Sequence, residues 1–215
     1  MTGIEDQRTA WAEDARTRFE NRYERLPQWE IGRAQPALAA LEERGWIGQR
    51  LLDAGCGTGD NALHFAGLGR DVWGIDISDT AIGMARAKAR ERGQPPARFL
   101  VGDALTLEEL GLRFDTVIDS GLFHAMRDAE QLAYARSVAC VLEPGGMLHV
   151  LCFSEHQPGV DGPRRVRRGE IEAVFTTGWR IEEIVRVRFE TNIHPGGAHA
   201  YRASLRWLSR VDGAE

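Results

Sequence analysis

The sequence predicts an α/β fold, an open and mostly parallel sheet with helices on both faces. Three observations point to it. From Arg50 to Phe153 short apolar runs alternate with helix-like segments, the order that builds parallel sheets through crossover connections. The run Leu51-Leu52-Asp53-Ala54-Gly55-Cys56-Gly57-Thr58-Gly59-Asp60 passes from an apolar strand into three alternate glycines and then a helix. Glycines there permit a sharp turn and a close approach of ligand to backbone, and the helix N-terminus adds unpaired N–H groups. An acid also stands at the end of each of the first four predicted strands, at Asp53, Asp76, Asp103 and Asp119. Ligands of open α/β sheets bind beyond those ends.

The 215 residues suit one domain, residues 1–215, with an N-terminal helical cap over 1–45 and the sheet core over 46–215. Apolar content of 43% and charged content of 27% are ordinary for a globular protein. A net charge of −5 argues against general nucleic-acid binding. The basic residues are nearly all arginine, with Lys88 the only lysine. Cys56, Cys140 and Cys152 are widely spaced and form no CxxC or Cys/His cluster, so neither a metal site nor a disulfide framework is expected. The polar, acid-bearing start (Met1 to Asp14) does not resemble a signal peptide. No apolar run approaches the ~20 residues of a membrane span. The expectation is a soluble, reduced, cytoplasmic protein that binds no membrane; its oligomeric state is unreadable.

In order, Trp11, Ala15, Phe19, Tyr23 and Leu26 mark one face of a helix from Arg8 to Leu26. Pro27, Gly32 and Pro36 break the next stretch into a loop. Its Trp29 suits a lid over a ligand. Pro36 opens a helix through Glu43 that Gly45 ends. Strands are expected at Arg50–Asp53, Asp71–Asp76, Arg98–Val101, Asp115–Asp119 and Met147–Phe153. Helices are expected at Asp60–Leu68, from an N-cap at Ser78 to Arg92, at Thr106–Leu110 and at Asp128–Leu142. Gly93, Pro95 and Pro96 make a loop. Ser154–Pro163 makes another, followed by a helix over Arg168–Phe175. Two last strands, Arg180–Phe189 and His199–Trp207, have no helix between them and imply an antiparallel edge.

The glycine turn separates two cofactor chemistries. A dinucleotide fingerprint, G-x-G-x-x-G, needs its last glycine where Asp60 stands. A carboxylate-rich turn suits instead a ligand that carries an amino acid, a sulfonium and an adenosine. Asp76 can accept hydrogen bonds from ribose hydroxyls, Asp103 can accept from the adenine amino group, and Ile77 can pack on the adenine face. The pattern D-x-G-x-G-x-G resembles the first motif of class I methyltransferases, which use S-adenosylmethionine (SAM). Gly74 to Asp76, Gly102-Asp103, Phe114 to His124 and Leu142 to Gly146 resemble the motifs that follow it.

The resemblance covers nearly the whole chain. It implies a Rossmann-like, seven-stranded, mostly parallel sheet with helices on both faces and an N-terminal helical lid, with SAM as cofactor. Residues at Asp76 and Asp103 would bind ribose and adenine, and those at Asp53, Gly55 and Gly57 would shape the methionine pocket. Cys56, Gly59 and Asn61 at the turn, Ile77, Ala104 and Ser120 beside the strand ends, and Trp29 complete the expected cofactor set. The loop Gln28-Trp29-Glu30-Ile31-Gly32 with Gln35-Pro36 resembles the Trp-Asp-x-Gly loop of the thiopurine and halide/thiol methyltransferase group, with Glu30 in place of the commoner Asp. In that group the tryptophan lies over SAM. Phe114 to Ser120 with Phe123-His124 resembles bacterial members that methylate small heteroaromatic compounds.

The expected reaction is in-line transfer of the methyl group to a thiol, hydroxyl or ring nitrogen of a small, heteroaromatic acceptor. Phe19, Tyr23, Trp29, Phe123 and His124 are the expected acceptor contacts. Trp29, backed by Tyr23, can stabilise the sulfonium by cation–π attraction worth ~0.5–2 kcal/mol. His124 is the best placed general base, against the alternative that it only shapes the pocket. His149, alternating with apolar neighbours, reads as structural; His156, His194 and His199 lie in or beside rim loops. The basic run Pro163 to Arg168 could meet an anionic acceptor or nucleic acid, but reads rather as a solvated loop leading into a helix. Alternatives are a halide or thiocyanate methyltransferase, a SAM-binding protein without transferase activity, and an NAD oxidoreductase, the last disfavoured by Asp60.

Overall fold

Strands β1 (Arg50–Ala54), β2 (Asp71–Asp76), β3 (Arg98–Val101), β4 (Phe114–Ser120), β5 (Leu142–Phe153), β6 (Trp179–Phe189) and β7 (Ala198–Trp207) form one sheet. Their order is β3-β2-β1-β4-β5-β7-β6. The first five run parallel, and β7 is antiparallel to both β5 and β6. The computed structural model describes residues 2–23, 25, 27–93 and 97–209, with residues 2–12 as backbone. The side chain of Trp11, and Leu26, Pro95 and Pro96, fall outside the described residues.

Among the described residues, α1 (Thr2–Tyr23) and α2 (Pro36–Ala39) precede the sheet, and α3 (Asp60–Gly67), α4 (Asp79–Glu91), α5 (Asp128–Val141) and α6 (Arg168–Val174) lie between strands. Successive strand residues enter opposite apolar layers, as a period of two requires. Leu51 joins Leu63, Phe65, Ile82 and Ala85 of α3 and α4 in one layer, and Leu52 joins Tyr134, Val138 and Val141 of α5 in the other. The central strands are therefore covered on both faces, which a parallel sheet needs.

Most expected boundaries shift by one or two residues. Three differences are larger, and the first two have physical reasons. The helix expected from Pro36 through Glu43 is one α-turn, after which N–H(i)→O(i−3) bonds carry the chain to Gly45. The tighter winding brings Leu38 and Leu41, three apart, into the same buried layer. Strand β5 begins at Leu142 rather than Met147, because Leu142 pairs with Phe114 across a bulge; Arg206 Nη1 donates to the Gly145 carbonyl there (2.8 Å). A 3₁₀ turn at Phe123–Ala125, not expected from the sequence, follows β4.

The N-terminal helix has the predicted face, with Ala15 and Tyr23 buried and Phe19 half-buried. It crosses the start of α4. Ser78 Oγ caps that helix by accepting the Ala81 N–H (3.0 Å), and Glu20 accepts the Asp79 N–H (2.6 Å). Both occupy donors that a helix N-terminus leaves unpaired. Among the described residues no helix is long and apolar enough to cross a membrane.

Candidate active site

The chain turns outward in both directions from β1 and β4, and a crevice opens where such a reversal occurs. A cavity of about 710 Å³ lies there, beyond the carboxyl ends of β1 to β4. Helix α1 and the Trp29 loop wall one side, and the segments after β5 and β6 wall the other. Of the expected residues, Phe19, Tyr23, Trp29, Gly55, Asp76, Ile77, Asp103, Ala104, Ser120 and His124 line it.

At the inner end the turn is pinned to β2, with the Gly55 and Cys56 N–H groups donating to the Ile75 carbonyl (2.8 and 2.9 Å). Gly55, Gly57 and Gly59 all have positive φ (70°, 54° and 85°), the conformation that selects glycine. The Gly57 N–H donates to Asp76 Oδ2 (2.9 Å) and the Ser78 N–H to Oδ1 (3.0 Å). These bonds orient the Asp76 carboxylate and leave each oxygen further lone-pair capacity. Burial raises its pKa to about 6, against the pull of the two amides. Asp103 accepts the Leu105 N–H (2.8 Å) and so caps the 3₁₀ segment Ala104–Leu110.

Five expected cofactor residues do not line the cavity. Asp53 is fully buried beneath the turn and accepts the Ala62 N–H of α3 (3.1 Å). Burial, with Asp119 nearby, raises its pKa to about 8. Cys56 is buried, and a Cβ at Gly59 would press on the Phe99 ring at 2.8 Å. Gly57 has the Tyr23 hydroxyl above it, 2.9 Å from where a Cβ would stand. Asn61 Oδ1 accepts the Gln35 N–H (2.9 Å) and fastens the Trp29 loop. Phe123, expected to touch the acceptor, is fully buried and packs on Phe175 (centroids 5.7 Å). Each lies in or beside the glycine turn, or just past β4, but its side chain or missing side chain faces the protein.

The Trp29 loop is held by a charged cluster that the sequence did not reveal. Lys88 Nζ reaches Thr58 Oγ1 (2.6 Å), Asp60 Oδ2 (2.7 Å) and Glu30 Oε2 (3.4 Å). Arg92 pairs with the other Asp60 oxygen (2.6 Å) and donates to the Gly32 carbonyl (3.2 Å). Asp60, at the position of a dinucleotide site's last glycine, thus links α3 to α4 and the loop. Gln35 exchanges two hydrogen bonds with the backbone of Glu190 (2.9 Å each), tying the loop to the end of β6.

At the outer end His124 is buried among rings. Phe153 packs edge-on to it (5.1 Å) and Phe189 tilts across it (5.9 Å). Its Nδ1 accepts the Phe153 N–H (3.0 Å). Burial, with Arg165 nearby, lowers its pKa to about 3. Gly121, φ 89°, leaves the ring its space; a Cβ there would stand 3.2 Å from Nε2. The Asp119 carboxylate accepts the Leu122 and Phe123 N–H groups (2.8 and 3.0 Å) and fixes the turn that carries His124.

His194 lines the cavity with its Nδ1 on Thr191 Oγ1 (2.8 Å). His156 and His199 do not line it. His156 bonds the Tyr201 hydroxyl (3.1 Å), and His199 donates its N–H to Gln157 (2.7 Å). His149 is structural, with Nδ1 on Ser204 (2.9 Å) and Nε2 on the Trp46 carbonyl (3.2 Å).

Three arginines on the wall, Arg18, Arg22 and Arg127, went unremarked as ligand groups in the sequence, whereas a fourth, Arg164, belongs to the basic run. Arg18 and Arg22, four apart beside Phe19 and Tyr23, share the helix face that could have disclosed them. Phe153 had a signal too, as the last residue of β5 at the acid-bearing end of the sheet. Phe189 had the same signal, as the last residue of the predicted strand Arg180–Phe189; the two antiparallel pairings through β7 make β6 run parallel to β5. Of the basic run, Arg164 pairs with Asp128 (2.7 Å), and Arg165 donates to the Gln157, Gly159 and Asp161 carbonyls (3.2, 3.3 and 2.9 Å), organising the preceding loop.

A parallel sheet with a glycine turn and acids facing a crevice at its switch point defines a nucleoside-type ligand site. Comparison with known proteins gives it a family. A family model described as a methyltransferase domain matches residues 51–146. The chain is 34% identical over 192 residues to the 2-heptyl-1-hydroxyquinolin-4(1H)-one methyltransferase of Mycobacteroides abscessus, covering 85% of each chain. It is 33% identical to probable thiol methyltransferase 2 of Arabidopsis thaliana, over 68% of this chain and 66% of the relative. A structure described under conversion of a disulfide bond into a thioacetal group during echinomycin biosynthesis superposes with a TM-score of 0.80. It is 35% identical, over 92% of this chain and 94% of the other. The chain belongs to the SAM-dependent methyltransferases, with their Rossmann-like class I fold. The cavity fits that cofactor, since its inner end offers glycine backbone and oriented carboxylates to a ligand with hydroxyls, amino groups and a positive sulfonium.

Proposed function

We propose that the protein methylates an oxygen, sulfur or ring nitrogen of a small heteroaromatic acceptor. The observation that carries it is the continuity of one cavity, whose carboxylate-and-glycine end runs into a wall of His124, Phe153, Phe189 and His194. Its volume, about 710 Å³, lies in the ordinary range of sites for drug-sized ligands, about 300–1,000 Å³. A halide ion would leave the ring-lined end unfilled. The names of the relatives, one a hydroxyquinolone methyltransferase and one a thiol methyltransferase, support the same acceptor class.

Bound SAM supplies an electrophilic methyl group on a sulfonium. The chain's part is to bind, orient and exclude water. Asp76 takes the ribose hydroxyls and Asp103 the adenine amino group, with Ile77 and Ala104 against the adenine. Gly55 and Ser120 border the methionine portion, and Trp29 with Tyr23 closes over the sulfonium. Asp53, Cys56, Gly57, Gly59 and Asn61 support that surface from behind. Phe19, Phe153 and Phe189 hold the planar acceptor.

We place the protein in the cytoplasm, acting on a small molecule and on neither nucleic acid nor membrane, with residues 1–45 as the cap of a single catalytic domain. Calorimetry with SAM and its demethylated product tests the site, with micromolar binding expected in wild type. Turnover with a panel of hydroxylated and thiolated quinolines, pyridines and phenols tests the acceptor. Tight SAM binding without methylation of any panel member would overturn the proposal.

A further inference from the structure

By sequence His124 is the best placed candidate for a general base, against a role in shaping the pocket, and its hydrogen bonds oppose the role of base. A neutral imidazole has one N–H and one bare nitrogen. The bare nitrogen is Nδ1, which accepts the Phe153 backbone N–H at 3.0 Å. The proton therefore sits on Nε2, the nitrogen beside Gly121 at the cavity wall. A nitrogen that already holds its proton donates and does not abstract. A second proton on Nδ1 would turn the Phe153 amide against a like donor in a buried place.

We infer that His124 is a locked hydrogen-bond donor and that the acceptor enters already ionised, so that the enzyme methylates heteroaromatic hydroxyls and thiols acidic enough to be anions at neutral pH. This rests on the proposed transferase reading and names the acceptor's charge. The wall agrees. Besides the carboxylates Asp76 and Asp103 at the cofactor end, the same cavity is lined by Arg18 and Arg22 of α1, by Arg127 before α5 and by Arg164 before α6. Arg127 and Arg164 are partnered by Glu130 and Asp128. Arg18 lies over Phe19 (5.2 Å) and Arg22 over Trp29 (5.7 Å), and neither makes an ion pair among the described residues. The groups facing His124 are Arg165 over the Phe153 ring (5.6 Å), His194 edge-on to that ring (5.8 Å) and Asp119 under its turn. Asp161 is the carboxylate on the rim. None of them offers His124 a carboxylate in hydrogen-bond contact that would keep a second proton on the ring.

The step balances without a base. The acceptor loses its proton to bulk water before binding. The new bond joins its anionic atom to the methyl carbon, and the methyl–sulfur bond breaks with its electron pair passing to sulfur. The Nε2–H and the arginines hold the anion in line and are unchanged at the end.

Nitrogen-15 spectra of the SAM-loaded protein should show His124 as the Nε2–H tautomer from about pH 5 to pH 9; an Nδ1–H tautomer, or protonation inside that range, overturns the inference. In a series of thiophenols and phenols matched in shape, kcat/KM should follow the fraction ionised in solution and fall away for acceptors with pKa above about 10. Efficient methylation of the weakest acids, or an acid limb common to all members, overturns it. His124→Gln, which keeps an N–H near Nε2, should retain activity within about 5-fold, whereas His124→Leu should lose about 10- to 100-fold in kcat. Equal loss in both variants, each still binding SAM, overturns the donor role. If SAM binds and no acceptor is methylated, both the transferase reading and this inference fail; methylation indifferent to acceptor pKa fails the inference alone.

Discussion

The inner end of the cavity is built from consecutive strand ends, and the outer end from segments far apart in the chain. Gly55, Asp76, Asp103 and Ser120 meet because β3, β2, β1 and β4 lie side by side, each ending at the same edge. His124 is held by the Phe153 amide, twenty-nine positions away, and ringed by Phe189 from the edge strand β6. The cofactor end follows from topology that any member of the fold shares. The acceptor end depends on loop length and on which side chains reach back across the crevice, so it can vary without disturbing the cofactor.

If the two ends are separable, variants should divide cleanly between them. The largest effect is expected from Asp76→Ala. Losing two charge-assisted bonds to ribose, about 3 kcal/mol together, should weaken SAM binding roughly 100-fold in calorimetry. Acceptor binding measured alone should change little, and equal loss of both would break the division. Phe153→Ala should come next, raising acceptor KM about 10-fold and leaving SAM affinity within about 2-fold. A comparable loss of SAM affinity would show that the ring wall supports both ligands.

Lys88→Met tests the fastening of the lid. Glu30, Thr58 and Asp60 would lose their shared cation. The side chains are partly exposed, so the cost should be about 1–2 kcal/mol, read as a several-fold faster SAM dissociation in stopped flow. Unchanged dissociation would separate the cluster from lid closure.

The smallest effect concerns the acids beneath the turn. Asp53 and Asp119 titrate at about 8 and about 7 in the fold, against an ordinary 3.8, chiefly because burial disfavours their charge. From about pH 6.5 to pH 8 the native chain keeps protons that the unfolded chain has lost, so stability falls as pH rises through that window. His124 and His149, held near 3 and 4 by burial, act in the opposite sense at lower pH, where the unfolded chain takes up protons that the native one refuses. Asp53→Asn should flatten the decline above about pH 6.5 and raise the midpoint near pH 8 by about 2–4 °C. A wild-type midpoint that rises between those pH values would contradict it.

The alternation of strands and helices, the glycine turn and the acids at Asp76 and Asp103 were legible in the sequence, because each is set by local spacing and by a period of two or of nearly four. Asp53 and Phe123 were found as positions but assigned the wrong surroundings. Their spacing puts one at the end of β1 and the other just past β4, yet only the packing of α3 on β1 and of Phe175 on Phe123 turns them inward. His124 was found as a candidate, whereas the direction of its hydrogen bond was invisible, since Phe153 belongs to the next strand of the sheet.

By itself, then, the sequence determined the sheet, the turn and the kind of cofactor, because strand ends carry their ligand groups with them wherever the sheet forms. Tertiary structure alone decided which of those groups face the cavity, what holds Trp29 in place and which nitrogen of His124 carries the proton. Each of these depends on partners that the chain brings together from distant positions, and no local pattern records such a meeting.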